Sequence, residues 1–214
     1  MHAISRTDTT DRTGNPTLAF LASGMEGLKV RITAKAADEA LASALIAGEE
    51  RNVRAVLGHL VFGVDGQTLE SVVLDALESR GLTLGVAESL TGGMIGMRLT
   101  EVAGASKVFR GSIVAYNSEV KFDVLGLPRM PVVSAEAAMA LAEGARRVLR
   151  ADVGISATGV AGPAEQEGQP PGTVFLGLAL PDGSEAVRVN LPGDRNLVRR
   201  FATTSLLNML RLRL

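Results

Sequence analysis

Residues 82–87 read LTLGVA, an apolar run that is long enough for a strand and too short for a helix. A strand apolar on both sides must be covered on both sides, which predicts a central place in a sheet with helices packed over it. That requirement shapes everything downstream.

The flanking sequence supplies the cover. Residues 68–79 repeat apolar side chains at Leu69, Val72, Val73, Ala76 and Leu77, a helical spacing, with Thr68 as N-cap. Further helices are expected at 91–102, 118–125 and 134–149, the last capped by Ser134. Strands are expected at 108–116, 153–157, 172–180 and 185–191, the final two joined by the turn Asp182-Gly183-Ser184. Asp194 opens a helix that runs towards Leu214. Alternating strands and helices followed by a hairpin predict an α/β helix-sheet-helix sandwich with a mixed sheet.

The N-terminal quarter reads differently. Residues 1–16 are polar and rich in Thr, Asp and Arg, a disordered lead-in. Residues 17–22 are apolar, 24–27 form a turn and 28–33 alternate as a half-buried strand. Residues 36–57 read as helix with a break near Gly48, and 59–64 as another strand. Together they predict a small α+β module over 17–65 with an antiparallel sheet, ahead of a larger domain over 66–214. A module this size has a marginal core, so it is expected to pack on the larger domain or on a neighbouring subunit, and a homo-oligomer, a dimer first, is the expected state.

Composition narrows the chemistry. The chain has no cysteine, which removes disulfides, thiolate metal sites and cysteine nucleophiles and fits a cytoplasmic protein. It has only two histidines, His2 and His59, so no metal site is expected, and a serine–histidine hydrolase would have to use His59. The net charge of −1 and an aromatic content of 3% argue against broad nucleic-acid binding. The arginines at 195, 199, 200, 211 and 213 leave a local basic patch as a minor option. Neither a secretory leader nor a membrane span is legible.

Three segments can carry chemistry. AESLTGG (87–93) follows a strand and opens a helix, where free N–H groups and the dipole can hold an anion; Ser89 or Thr91 can equally be a plain cap. SATGVAGP (156–163) can form an anion nest, or simply turn the chain. YNSEVK (116–121) places the only tyrosine and a lysine at a strand end, where a partly desolvated Lys121 could serve as base. A serine nucleophile needs a proton acceptor, and with cysteine absent and histidine scarce, Lys121, Glu88 and Tyr116 remain.

The blocks AESLTGG, GSIVAYNSEVK, SATGVAGP, GTVFLGLA and PGDR, in this order over residues 68–214, resemble the CinA C-terminal family of nicotinamide-nucleotide amidases. Residues 15–64 (NPTLAFL, KVRITAKA, HLVFG) resemble the middle module of full-length CinA proteins, whose further N-terminal domain is not seen here. The resemblance implies hydrolysis of nicotinamide mononucleotide to nicotinic acid mononucleotide and ammonia, without cofactor. It implies Ser89 as nucleophile with Tyr116 and Lys121 assisting; for such a serine, the N–H groups of residues 89–93 are the expected oxyanion hole. Thr91, Gly92, Gly93, Thr158, Gly159, Gly162 and Arg195 are implied in substrate binding, with Arg195 and the 158–162 turn on the phosphate. Leu90 stands where the family commonly has Cys, beside the nucleophile and not in its place. The rival expectation is a non-catalytic nucleotide-binding or scaffolding protein linked to competence and recombination.

Overall fold

The computed structural model describes residues 14–22 and 27–214; the expected lead-in at 1–13 and most of the turn at 24–27 lie outside the described residues. Contacts divide the chain between Phe62 and Gly63 into two units.

In the first unit, β1 (Thr17–Ala22) pairs antiparallel with β2 (Leu28–Thr33). The register sets Leu18 opposite Ile32 and Phe20 opposite Val30, so one face of the ribbon is apolar, while Leu21 opposite Lys29 and Ala19 opposite Arg31 fall on the other. Helix α1 (Glu39–Leu57) begins where the Asp38 side chain accepts the Leu41 N–H at 2.8 Å. It runs unbroken through Gly48, since one glycine costs only about 1 kcal/mol against the cooperativity of the helix around it. The strand expected at 59–64 does not form. Gly58 ends α1 at φ +52° and Gly58–Leu60 closes as a 3-10 turn, with Val61 donating to the Gly58 carbonyl at 3.2 Å. The apolar pattern suits a strand, but among the described residues none pairs with it.

The second unit begins with α2 (Leu69–Ser79), whose start is a reciprocal capping box between Thr68 and Ser71. There follow β3 (Leu84–Glu88), α3 (Met94–Thr100), β4 (Phe109–Val114), α4 (Ser118–Asp123), α5 (Ala135–Leu149), β5 (Val153–Gly159), β6 (Thr173–Leu180), β7 (Gly183–Asn190) and α6 (Arg195–Arg213). The five strands form one mixed sheet in the order β4-β3-β5-β6-β7. β3 runs parallel to both β4 and β5, and β6 and β7 return antiparallel. All five residues of β3 are buried, as the apolar run predicted.

Helix α5 packs across β3, β5 and β6; α6 packs on β5 and β6 and against α2 and α3. The α5 contact is unusually close because small residues meet. A Cβ on Gly154 would stand 2.0 Å from the Ala142 carbonyl oxygen, and one on Gly177 2.3 Å from that of Ala138. Ser156 Oγ donates to the Ala138 carbonyl at 2.6 Å, fixing the helix along the strand. No helix among the described residues is long and apolar enough to cross a membrane.

Candidate active site

The parallel register places three strand ends side by side. Glu88 lies opposite Val114 on β4 and Ala157 on β5, so β3 and β4 end at one level beside the last residues of β5, which runs on to Gly159 along β6. This is the carboxyl end of parallel strands, where α/β proteins gather ligands. A cavity of about 320 Å³ opens there, lined among others by Ser89, Tyr116, Lys121, Thr158, Gly162 and Arg195. That volume lies at the small end of the range of about 300–1,000 Å³ typical of small-molecule pockets.

The segment after β3 is a turn before it is a helix. Gly92 and Gly93 adopt φ +60° and +95°, so α3 starts at Met94, later than the spacing predicted. Fully buried Glu88 caps this start. Its Oε2 accepts from Gly93 N at 2.9 Å and Ile95 N at 3.1 Å, and its Oε1 from Gly96 N at 2.9 Å and Ser112 Oγ at 2.7 Å. With four donors, Glu88 has no free site and is a structural cap rather than a base.

The N–H groups of the turn are therefore mostly spent. Ser89 N donates to the Ala157 carbonyl, Gly92 N to that of Ser89 and Met94 N to that of Thr91. Those of Leu90 and Thr91 have no protein acceptor among the described residues, and of the two only Leu90 lines the cavity. Thr91, Gly92 and Gly93 do not line the cavity; Thr91 is fully buried and its hydroxyl has no partner among the described residues.

Lys121 is only 1% exposed, yet it lines the cavity. Its Nζ donates to the carbonyls of Ala115 at 2.7 Å and Tyr116 at 3.4 Å. Burial lowers its pKa from the ordinary lysine range, and the Glu167 carboxylate pulls the other way. A neutral amine has two N–H groups and one lone pair. The two carbonyls match the two donors, which leaves the lone pair for a proton. Ser89 and Lys121 share the cavity without a direct hydrogen bond between them.

β4 stops at Val114, short of the strand expected to 116, so Tyr116 stands exposed two residues beyond it, and its hydroxyl accepts from Arg195, the first residue of α6 behind the cap Asp194. Arg195 also donates to the Gly162 carbonyl at 2.9 Å. Thr158 is placed in the wall, but its hydroxyl is given to the Val132 carbonyl at 2.6 Å. Val160 N donates to the Thr173 carbonyl at 2.8 Å, so the anion nest expected over 158–162 is left with the N–H groups of Ala161 and Gly162. Gly159 lines the same wall in the β5–β6 ladder.

Sequence reasoning missed Glu167. It sits at φ +52°, a conformation uncommon for a non-glycine residue, and its carboxylate accepts from Val132 N at 3.1 Å and Val133 N at 2.8 Å. The loop bearing it is thereby tied to the opposite wall of the cavity. The only legible signal was a carboxylate within the loop QEGQPPG. Among the described residues no three His, Asp or Glu side chains converge as a metal site would need.

Residues 66–214 match the CinA C-terminal domain family, and residues 7–63 match the damage-inducible protein CinA KH domain. A CinA-like protein of Frankia casuarinae is 49% identical over 94% of this chain and 47% of its own length. A putative competence-damage inducible protein of Halalkalibacterium halodurans is 41% identical over 90% of this chain and 47% of its own. The chain thus spans about half the length of the curated relatives it matches. Among solved structures, a CinA-superfamily protein of Klebsiella pneumoniae superposes with a TM-score of 0.66 at 28% identity, over 68% of this chain and 94% of that one. The competence/damage inducible protein CihA of Agrobacterium tumefaciens gives 0.63 at 31% identity, over 66% and 91%.

Proposed function

The chain belongs to the CinA family, and on that footing we propose that it hydrolyses the carboxamide of nicotinamide mononucleotide. The observation that carries this reading is the meeting of Ser89, Tyr116, buried Lys121 and Arg195 around one cavity. A hydroxyl, a desolvated amine and a guanidinium are what a phosphorylated amide requires.

Ser89 Oγ attacks the amide carbon while Lys121 Nζ accepts the serine proton, and the N–H group of Leu90, which lines the cavity, binds the oxyanion. The carbon–nitrogen bond then breaks, and the Lys121 ammonium returns its proton to the leaving group, releasing ammonia. Water attacks the Ser89 ester, gives a proton to Lys121, and the serine leaves with that proton. Nicotinic acid mononucleotide is the second product. Arg195 and the N–H groups of Ala161 and Gly162 receive the phosphate. Tyr116 holds Arg195 by its hydroxyl and offers its ring at the cavity mouth.

The test is ammonia release from nicotinamide mononucleotide by wild type and Ser89→Ala. The rate is expected to fall by roughly 10³-fold or more on loss of a nucleophile. Full activity in Ser89→Ala would overturn the assignment.

A further inference from the structure

We propose that Arg199 is a positioning residue that clamps the turn after Ser89 and thereby holds Ser89 and the Leu90 N–H in place at the cavity. The inference rests on the amidase reading and extends it to a residue outside the cavity lining. Arg199 Nε donates to the Leu90 carbonyl at 2.9 Å, and its terminal NH₂ donates to the Thr91 carbonyl at 2.9 Å. In a trans peptide the C=O and the following N–H point in opposite directions. Holding the Leu90 carbonyl towards α6 therefore turns the Thr91 N–H away from α6. Holding the Thr91 carbonyl does the same for the Gly92 N–H, which closes the turn onto the Ser89 carbonyl at 3.2 Å.

Glu88 fixes the turn from the other end by taking the N–H groups of Gly93, Ile95 and Gly96. The carboxylate holds N–H groups and the guanidinium holds carbonyls, so residues 90–93 are tied down on both sides. Gly92 is shaped for this contact as well: a Cβ there would lie 3.3 Å from the Arg199 terminal nitrogen, and its φ is +60°. Arg195 and Arg199 are four residues apart, hence neighbours on one face of α6. That one face serves the site twice, through Arg195 at the cavity and Arg199 beneath the nucleophile turn.

The guanidinium's fork is what reaches two carbonyls at once, and a lysine ammonium cannot reproduce it. The experiment compares wild type, Arg199→Ala, Arg199→Gln and Arg199→Lys by steady-state ammonia release and by amide hydrogen exchange with mass spectrometry. Arg199→Ala should lose on the order of 10²-fold in kcat, the scale of a nucleophile displaced by about 1 Å, with KM little changed. Exchange should quicken in residues 89–93 and not across the sheet, and added guanidinium should restore part of kcat in Arg199→Ala alone. Arg199→Lys and Arg199→Gln should fall between, and they carry the comparison if the alanine variant does not fold. A raised KM with unchanged kcat would make Arg199 a substrate contact and overturn the proposal. Unchanged exchange at 89–93 would overturn it too. If wild type releases no ammonia, the amidase reading fails by itself, and the exchange arm still decides the clamp.

Discussion

The Lys121 side-chain nitrogen stands 2.7 Å from the carbonyl oxygen of Ala115, and the side chain that carries it is 1% exposed. Burial holds its pKa below the ordinary lysine value. Lys121 serves as a base only when neutral, so kcat/KM should rise with pH through this lowered pKa. Lys121→Met should remove that limb and reduce kcat by about 10²–10⁴, the range of a general base. The same shift has a stability sign. Between its folded pKa and the ordinary value the unfolded chain binds the extra proton, so stability should rise with pH across that window. Denaturant unfolding of wild type against Lys121→Met over the alkaline range measures it; the variant should lack the rise.

Glu167 acts on Lys121 from the loop it anchors. Its negative charge raises the lysine pKa, opposing burial. In Glu167→Gln the acid limb of kcat/KM should therefore move to lower pH. Glu167→Ala should also free the Val132 and Val133 N–H groups and raise KM, because the loop loses its tie to the opposite wall. A pH profile unmoved by either change would remove the electrostatic link.

Glu88→Gln tests the cap beside the nucleophile. A glutamine replaces one acceptor oxygen with an NH₂ group, leaving two of the four donors facing a donor. At about 1–3 kcal/mol for each orphaned buried donor, the cost is about 2–6 kcal/mol. The melting temperature should drop by roughly 5–20 °C, from about 2–4 °C per kcal/mol for a chain this size. Calorimetry decides it, and an unchanged melting temperature would contradict the cap.

Arg195 separates a nucleotide amidase from an amidase of the free base. Arg195→Ala should weaken kcat/KM for the mononucleotide and leave the dephosphorylated riboside nearly untouched, since its contribution is a charge-assisted contact to phosphate. Equal loss on both substrates would assign Arg195 to Tyr116 and Gly162 alone, the two partners it holds in the structure.

Gly154→Ala probes the close approach of α5. The new methyl would sit 2.0 Å from the Ala142 carbonyl oxygen, a backbone atom of the facing helix. The helix must move away from β5, which should destabilise the second unit by more than about 3 kcal/mol, above the ordinary overpacking range. A variant as stable as wild type would mean that α5 can slide.

Much of the site was legible because local chemistry decides it. Thr68, Ser134 and Asp194 each cap the helix that their residue type and spacing announced. Cysteine-free, histidine-poor chemistry left Lys121, Glu88 and Tyr116 as proton acceptors, and the family resemblance singled out Ser89. The basic residues of α6 were readable only as a group. In the structure they diverge: Arg195 to the cavity, Arg199 to the turn after Ser89, Arg213 to Glu185. A one-dimensional count of charges carries no azimuth, so it cannot tell a stripe from three separate contacts.

The sequence by itself determined the elements and their layering. An apolar strand, amphipathic helices and glycine or aspartate punctuation are statements about one segment and its solvent, and they survive without knowledge of neighbours. Tertiary structure decided which polar groups are spent. The acceptor sites of Glu88 are filled by amides and a hydroxyl up to 24 residues away, the Thr158 hydroxyl is taken by Val132, and the burial that lowers the Lys121 pKa comes from the assembled fold. The 59–64 segment shows the same division from the other side, since a strand needs a partner with free backbone groups and none among the described residues pairs with it. Hydrogen bonding and desolvation depend on who stands opposite, and that is settled only when distant segments meet.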